Sequence, residues 1–408
     1  MKLRFSLLLL VSLPLGAQPA RVRLGSEALL ERRLHILENE RVGIICNHTS
    51  LLSNKTHLVD TLLARNIAVT ALYTAEHGFR GTKPAGELLR DTIDEKTGLP
   101  VYSLYGVFKK PPAESLKNID VLIYDMQDVG ARYYSYPWTM SKAMEVAASE
   151  HKTFIVLDRP NPINGLEIEG PTLDTSLLSS VGAFPVPIRY GLTIGELARM
   201  IVGERWIRNA DSLTLIVIPM DGWRREMWYD ATGLPWTPPS PNIKTLSTAA
   251  VYPGTCLFEG TNVSEGRGTF KPFEYVGAPW IDGKNISQQM NALNLPGVRF
   301  HPIVFIPHAD SFASPAPKYR NQLCSGVFIQ VTDRDLFRPV STSLHMLRII
   351  RSTYPSTFKF IEQTFDKLIG VRDVRAGIEK GVFVRDFQSA WTADSSKFQQ
   401  FRRQYLLY

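Results

Sequence analysis

The residues with the most chemical potential stand where short apolar runs give way to polar clusters. Glu76-His77-Gly78-Phe79-Arg80-Gly81 follows one such run. A carboxylate held near an aromatic ring and a guanidinium can have its pKa tuned for proton donation, or it can simply pair with Arg80. Asp125 and Asp128 follow another run, three residues apart, with Arg132, Tyr133, Tyr134 and Tyr136 close behind. Carboxylates bond hydroxyls and tyrosine rings stack on pyranose faces, which fits sugar binding. Capping of the next helix by Asp128 explains the pattern about as well. Asp158-Arg159-Pro160-Asn161-Pro162 is a rigid loop that either fixes a guanidinium at a cleft or closes a local salt bridge. Further along, Glu265 and Arg267 sit on the glycine frame Ser264–Thr269, with Glu259 and Asn262 just before it. No strand-to-helix frame with a third glycine follows, so a phosphate loop is a poor reading. An anion- or sugar-contacting loop, or a plain turn, is a better one.

Other chemistries fit less well. His301, His308 and Asp310 lack the spacing of a metal site, and no cofactor or metal is expected. No GxSxG, HExxH or Walker sequence occurs, which argues against serine esterases, zinc proteases and NTPases.

The elements that must position these residues alternate. Val42–Cys46, Ala68–Tyr73, Val121–Tyr124 and Phe154–Leu157 read as strands, each followed by a polar cluster, the first being Asn47-His48-Thr49. Helical windows lie between them at Lys55–Arg65 and Ser141–Glu150. Such alternation predicts a parallel sheet covered on both sides, with ligands beyond the carboxyl ends of its strands. After Gly170-Pro171 the character changes: a helix over Leu192–Glu204, a strand over Leu213–Ile218 and a proline-rich loop, 234–242. Strands at Gly297–Phe305 and Gly326–Val331 and a helix over Val340–Ser352 predict a second α/β unit. The expected division is a leader, 1–17, a Rossmann-like domain, 18–180, and a smaller α/β subdomain, 181–408.

Composition narrows the setting. The 408 residues are 44% hydrophobic and 21% charged, ample for a core and wrong for a disordered or coiled-coil chain. The net charge of +7 is spread along the chain, which disfavours nucleic acid and suits work beside an anionic surface or polymer. Three cysteines, Cys46, Cys256 and Cys324, cannot form a disulfide scaffold. Lys2 and Arg4, the apolar stretch to Leu15 and the small Gly16-Ala17 have the layout of a secretory signal. Cleavage after Ala17 and a secreted or periplasmic location without a membrane span are expected. From the residues alone, the chain reads as an exported α/β hydrolytic or binding protein with a carboxylate-lined cleft.

Seven strings say more. EHGFRG (76–81), YDMQDVGARYYSY (124–136), LDRPNP (157–162), EGP (169–171), PPSPN (238–242), LFEGTNVSEGRGT (257–269) and KYRNQLCSGV (318–327) resemble, in order, the exo-β-N-acetylmuramidase family typified by NamZ. The resemblance runs from about Val42 to Pro339; Lys244 and Ser314-Pro315-Ala316-Pro317 depart from the family pattern. It implies a Rossmann-like domain joined to a second α/β subdomain, with the active site in the cleft between. It also implies release of N-acetylmuramic acid from non-reducing ends of peptidoglycan fragments such as MurNAc-GlcNAc, with no cofactor.

Glycoside hydrolysis requires an acid for the leaving oxygen and a second carboxylate, or help from the substrate's own acetamido group. Glu76 is the expected acid, Asp128 its first-choice partner and Glu265 the second. The lactyl carboxylate of muramic acid calls for a cation, with Arg80, Arg159 and Arg267 as candidates. Asn47, His77, Asp125, Arg132, Tyr133 and Asn262 complete the expected substrate contacts. Two rivals remain: an inert wall-sugar-binding protein of the same fold, and an esterase or deacetylase acting on wall sugars. A chromogenic muramide separates the first, and insensitivity to EDTA argues against a metal-dependent deacetylase.

Overall fold

The computed structural model describes residues 21–75, 78–80, 91–104 and 110–408. The first unit contains β1 (Val42–Cys46), β2 (Val69–Thr74), β3 (Thr92–Ile93), β4 (Pro100–Ser103), β5 (Val121–Asp125), β6 (Thr153–Leu157) and β7 (Leu215–Ile218). They form one sheet in the order β3-β4-β2-β1-β5-β6-β7. Each neighbouring pair is parallel except β3–β4. All of β1 and β5 is buried, because helices cover both faces of the sheet.

Helices α1 (Gly25–Ala28) and α2 (Leu58–Ala64) contribute to one apolar layer, where Ala28 and Leu62 are clustered with Ile44, Leu72 and Ile123. The other face packs under α3 (Ser135–Ser149) and α4 (Ile194–Gly203), through residues such as Met144 and Leu197. α3 starts earlier than the predicted window because Pro137 sits in its first turn, where a missing N–H breaks no helical bond. α4 begins with a capping box: the Thr193 hydroxyl accepts from the Glu196 N–H, and the Glu196 carboxylate accepts from the Thr193 N–H. Such a cap is worth ~1 kcal/mol.

Leu215–Ile218 lies past residue 180, where the sequence reading ends the first domain, yet it pairs with β6 from Phe154↔Leu215 to Leu157↔Ile218. Parallel neighbours need a crossover, and α4 supplies it.

The second unit is an antiparallel sheet of β8 (Tyr275–Ala278), β9 (Val298–Phe305) and β10 (Cys324–Val331), in the order β8-β10-β9. Around it lie α5 (Leu246–Thr255), α6 (Gly283–Ala292), α7 (Pro339–Thr353), α8 (Glu362–Ile369), α9 (Asp373–Glu379) and α10 (Val384–Phe401). α5 ends in Pro253-Gly254-Thr255, a poor helical sequence that serves packing. A Cβ on Gly254 would stand 1.9 Å from the Pro339 carbonyl oxygen of α7.

The two units share one apolar core, in which Tyr73 and Met144 of the first cluster with Phe258 and Leu347 of the second. Among the described residues, no helix is long and apolar enough to cross a membrane.

Candidate active site

β1, β5 and β6 are adjacent and parallel, so their carboxyl ends bring Asn47, Asp125–Asp128 and Asp158–Asn161 together, at ~4.8 Å per strand. Arg159 forks onto Asp125, with Nε to Oδ1 at 2.6 Å and Nη2 to Oδ2 at 2.9 Å. Both side chains are buried, and Arg159 Nη2 also donates to the Leu51 carbonyl. Asn47 Oδ1 accepts from the Thr49 N–H at 2.8 Å and from its hydroxyl at 2.6 Å, while Asn47 Nδ2 is buried without a partner. Asp158 accepts from the Thr193 and Tyr408 hydroxyls and the Gly195 N–H, and burial raises its pKa to about 7.

Asp128 has a different environment. Its Oδ2 accepts from the Gly130 N–H at 2.9 Å and from the Tyr190 hydroxyl, and its Oδ1 is buried with no partner. Burial raises the carboxyl to about 6, and the bonds from Tyr190 and Gly130 pull only partly against it. Asp128 does not cap α3, whose N-cap is Tyr134; it closes a turn at Gly130 instead. Gly130 has φ +77, and a Cβ there would lie 2.3 Å from Asn161 Oδ1. Tyr190 was not singled out from the sequence, and an isolated tyrosine in a loop carries no periodic signal to find it by.

The second unit contributes another charged cluster. Glu265 is buried, with Oε2 accepting from Lys318 Nζ at 3.1 Å and Oε1 3.6 Å from Arg267 Nε. Arg267 donates from Nη2 to Glu259 at 2.6 Å and lies over the Phe273 ring at 4.9 Å. Nearby carboxylates hold its pKa above the ordinary arginine value despite burial. Lys318 also donates to the Phe258 and Val263 carbonyls. It occurs in the KYRNQL string, yet only the fold reveals that it faces Glu265. Aromatic rings link the two corners: Tyr134 meets Tyr252 edge-on at 6.4 Å, and Tyr252 meets Phe273 at 4.8 Å.

The remaining expected residues divide by what they touch. Arg80 makes two 2.8 Å bonds to Asp94, lies 3.8 Å from Asp60 and sits over Phe79 at 4.5 Å, and its side chain is 32% exposed. Arg132, fully buried, donates to the carbonyls of Pro171, Val186, Leu368 and Ile369 at 2.8–2.9 Å. Burial without a carboxylate partner lowers its pKa to about 10. That geometry corrects the expected sugar contact: Arg132 ties the first unit to the end of α8 and presents no surface to a ligand. The Tyr133 hydroxyl likewise donates to the Pro253 carbonyl of α5. The Asn262 side chain bridges to the Lys359 N–H and the Thr357 carbonyl, both at 2.8 Å, bracing a neighbouring loop. Glu76 and His77 lie outside the described residues.

Among the described residues, no three His, Cys, Asp or Glu side chains gather as a metal site. His301 bonds Gln330 and His308 bonds Asn321, while Asp310 accepts from the Phe312 and Ala313 N–H groups.

A doubly covered parallel sheet with a buried carboxyl of raised pKa at its carboxyl end, joined to a unit bearing another buried carboxylate, defines a two-domain α/β protein equipped for carboxylate-based hydrolysis. The chain belongs to the exo-β-N-acetylmuramidase NamZ family, a family of glycosidases: the model of its N-terminal domain matches residues 42–247 and that of its C-terminal domain residues 250–408. It is 44% identical to the peptidoglycan β-N-acetylmuramidase NamZ of Bacillus subtilis (strain 168), over 96% of this chain and 92% of the relative. Two crystal structures of DUF1343 family proteins from Bacteroides fragilis share the fold. One has a TM-score of 0.87 at 36% identity, covering 95% of this chain and 99% of that one. The other has a TM-score of 0.79 at 34% identity, with the same coverage.

Proposed function

We propose that this chain is an exported exo-β-N-acetylmuramidase that releases N-acetylmuramic acid from the non-reducing ends of peptidoglycan fragments. The observation that carries the reading is the 44% identity to the Bacillus subtilis enzyme over nearly the whole chain. In this reading Glu76 protonates the leaving glycosidic oxygen as general acid. Asp128 is its preferred partner: its buried Oδ1 has no hydrogen-bond partner of its own, and its pKa near 6 suits proton exchange close to neutrality. Glu265 is the second choice, because Lys318 and Arg267 already flank it.

The lactyl carboxylate goes to an arginine that is still reachable. Arg80 and Arg267 are 32% and 31% exposed, whereas Arg159 is 4% exposed and forked onto Asp125. Arg80 and Arg267 are therefore the favoured pair.

Mass spectrometry of the products from peptide-free MurNAc–GlcNAc tests the activity. The two free sugars are expected, and an intact disaccharide or a deacetylated product would overturn it. Export is tested by N-terminal sequencing of protein recovered outside the cytoplasm: the mature chain begins near Gln18, and a retained Met1 would remove that part of the proposal.

A further inference from the structure

The string EGP, 169–171, belongs to the family resemblance, yet the cleft described above does not use it. It lies beyond β6, and β6 and β7 are separated from β2 by β1 and β5. There the 166–170 loop, Arg225, Arg338 and the outer face of α10 enclose a groove of about 620 Å³. That volume is within the range of small-ligand sites, and polar or charged side chains line it together with Leu166, Ile168, Trp391 and Leu406.

Two groove-lining side chains each keep one buried polar atom without a partner. Glu169 Oε1 accepts from the Ser341 N–H at 2.8 Å, at the start of α7, while its Oε2 has no partner. Arg402 is 4% exposed and donates from Nη1 and Nη2 to the carbonyls of Tyr190, Gly191 and Leu166, leaving its Nε unpaired. An unmet acceptor and an unmet donor in one groove fit a ligand that both donates and accepts, as sugar hydroxyls do. Four arginines line it, Arg225, Arg338, Arg402 and Arg403, against Glu167 and Glu169. Arg225 is neutralised by Glu196 and Arg338 by Glu167. Arg403 has no ion pair among the described residues, so an uncompensated cation stands at the rim. Trp391, stacked on Phe387 at 6.1 Å, adds apolar surface to the wall. Burial also raises Glu169 to about 7, so near neutrality it is part carboxylic acid and can donate to a hydroxyl as well as accept.

We propose that this groove is a second, non-catalytic saccharide site that takes a carboxylate-bearing amino sugar of wall glycan and holds the polymer while the cleft works at a chain end. The ligand class rests on the muramidase reading; the groove itself does not. An exo-acting cleft engages only chain ends, so binding to intact sacculi, where chain interiors dominate, reports mainly on the groove.

The test uses the full chain on insoluble peptidoglycan. The double variant Arg403→Glu, Gln399→Ala changes two groove side chains outside the cleft, and it is compared with wild type in a pull-down with free N-acetylmuramic acid or N-acetylglucosamine as competitor. Hydrolysis of 4-nitrophenyl β-N-acetylmuraminide is read separately. The bound fraction is expected to fall ~5-fold in the double variant, the scale of one lost contact to an exposed, solvent-screened cation. Arg403→Lys restores most of it, N-acetylmuramic acid competes better than N-acetylglucosamine, and hydrolysis of the small substrate stays within about 2-fold of wild type. Undiminished binding by the double variant overturns the site, and equal competition by the two sugars overturns its carboxylate preference. Absent hydrolysis in wild type, with groove-dependent binding intact, would instead overturn the muramidase reading alone.

Discussion

Asp128 and Glu265 are both buried carboxyl groups, but they are solvated in different ways. Asp128 has a phenol and one backbone N–H on one oxygen, no cation, and a free second oxygen. Glu265 stands between Lys318 and Arg267. Burial with only neutral donors raises a carboxyl toward neutrality. The first corner is therefore built to exchange a proton, while the second ties its carboxylate into ion pairs. The arginines show the same contrast. Arg132 meets only carbonyls and serves as an internal tie, while Arg267 meets carboxylates and remains partly open.

The comparison can be broken in four ways. The largest effect is expected at Glu76, the residue that Asp128 is meant to serve. Glu76→Gln should keep the fold and substrate binding but lose at least ~10²-fold in kcat. A folded variant with near-normal kcat on a poor leaving group would move the acid elsewhere, with Glu265 next in line. Arg132→Ala comes next. Removing a buried cation that serves four carbonyls should cost about 3–5 kcal/mol of stability. Denaturant midpoints read that loss, and a fall in substrate affinity at unchanged stability would return Arg132 to the binding site.

Smaller again is the preference for muramic acid. Losing a charge-assisted contact to the lactyl group should cost about 2–4 kcal/mol, or roughly 30- to 1,000-fold in kcat/KM between β-MurNAc and β-GlcNAc substrates. Equal rates on the two sugars would leave Arg80 and Arg267 without a role.

The smallest effect sharpens the contrast most. Tyr190→Phe removes a donor that lowers the pKa of Asp128, so that pKa should move above about 6. The acid limb of kcat/KM should then shift upward by about 0.4–1.1 pH units. Stability has a definite sign here. Between the ordinary value of 3.8 and about 6, the folded state holds a proton at Asp128 that the unfolded chain has lost. Its contribution therefore falls as pH rises through that window and is flat above it. Asp128→Asn should flatten that part of the Tm-versus-pH curve, and an unchanged curve would show that Asp128 titrates normally.

Read without coordinates, the chain already carried its alternation of strands and helices. Strand period and turn residues are local, so β1, β5, β6 and α4 fall within a few residues of expectation. The convergence of Asn47, Asp125, Asp128 and Asp158 was legible too, because parallel strands with helical crossovers must place their carboxyl ends together. What sequence could not decide was who partners whom. Whether Asp128 caps a helix depended on Tyr134 taking the N-cap of α3 while Gly130 and Tyr190 claimed the carboxylate, and whether Arg159 faces substrate depended on Asp125 lying one strand away. Lys318 reaches Glu265 across 53 residues, Tyr190 reaches Asp128 across 62, and Arg132 reaches Ile369 across 237. Burial and charge pairing at such separations are properties of packing, and no local pattern of residue types encodes them.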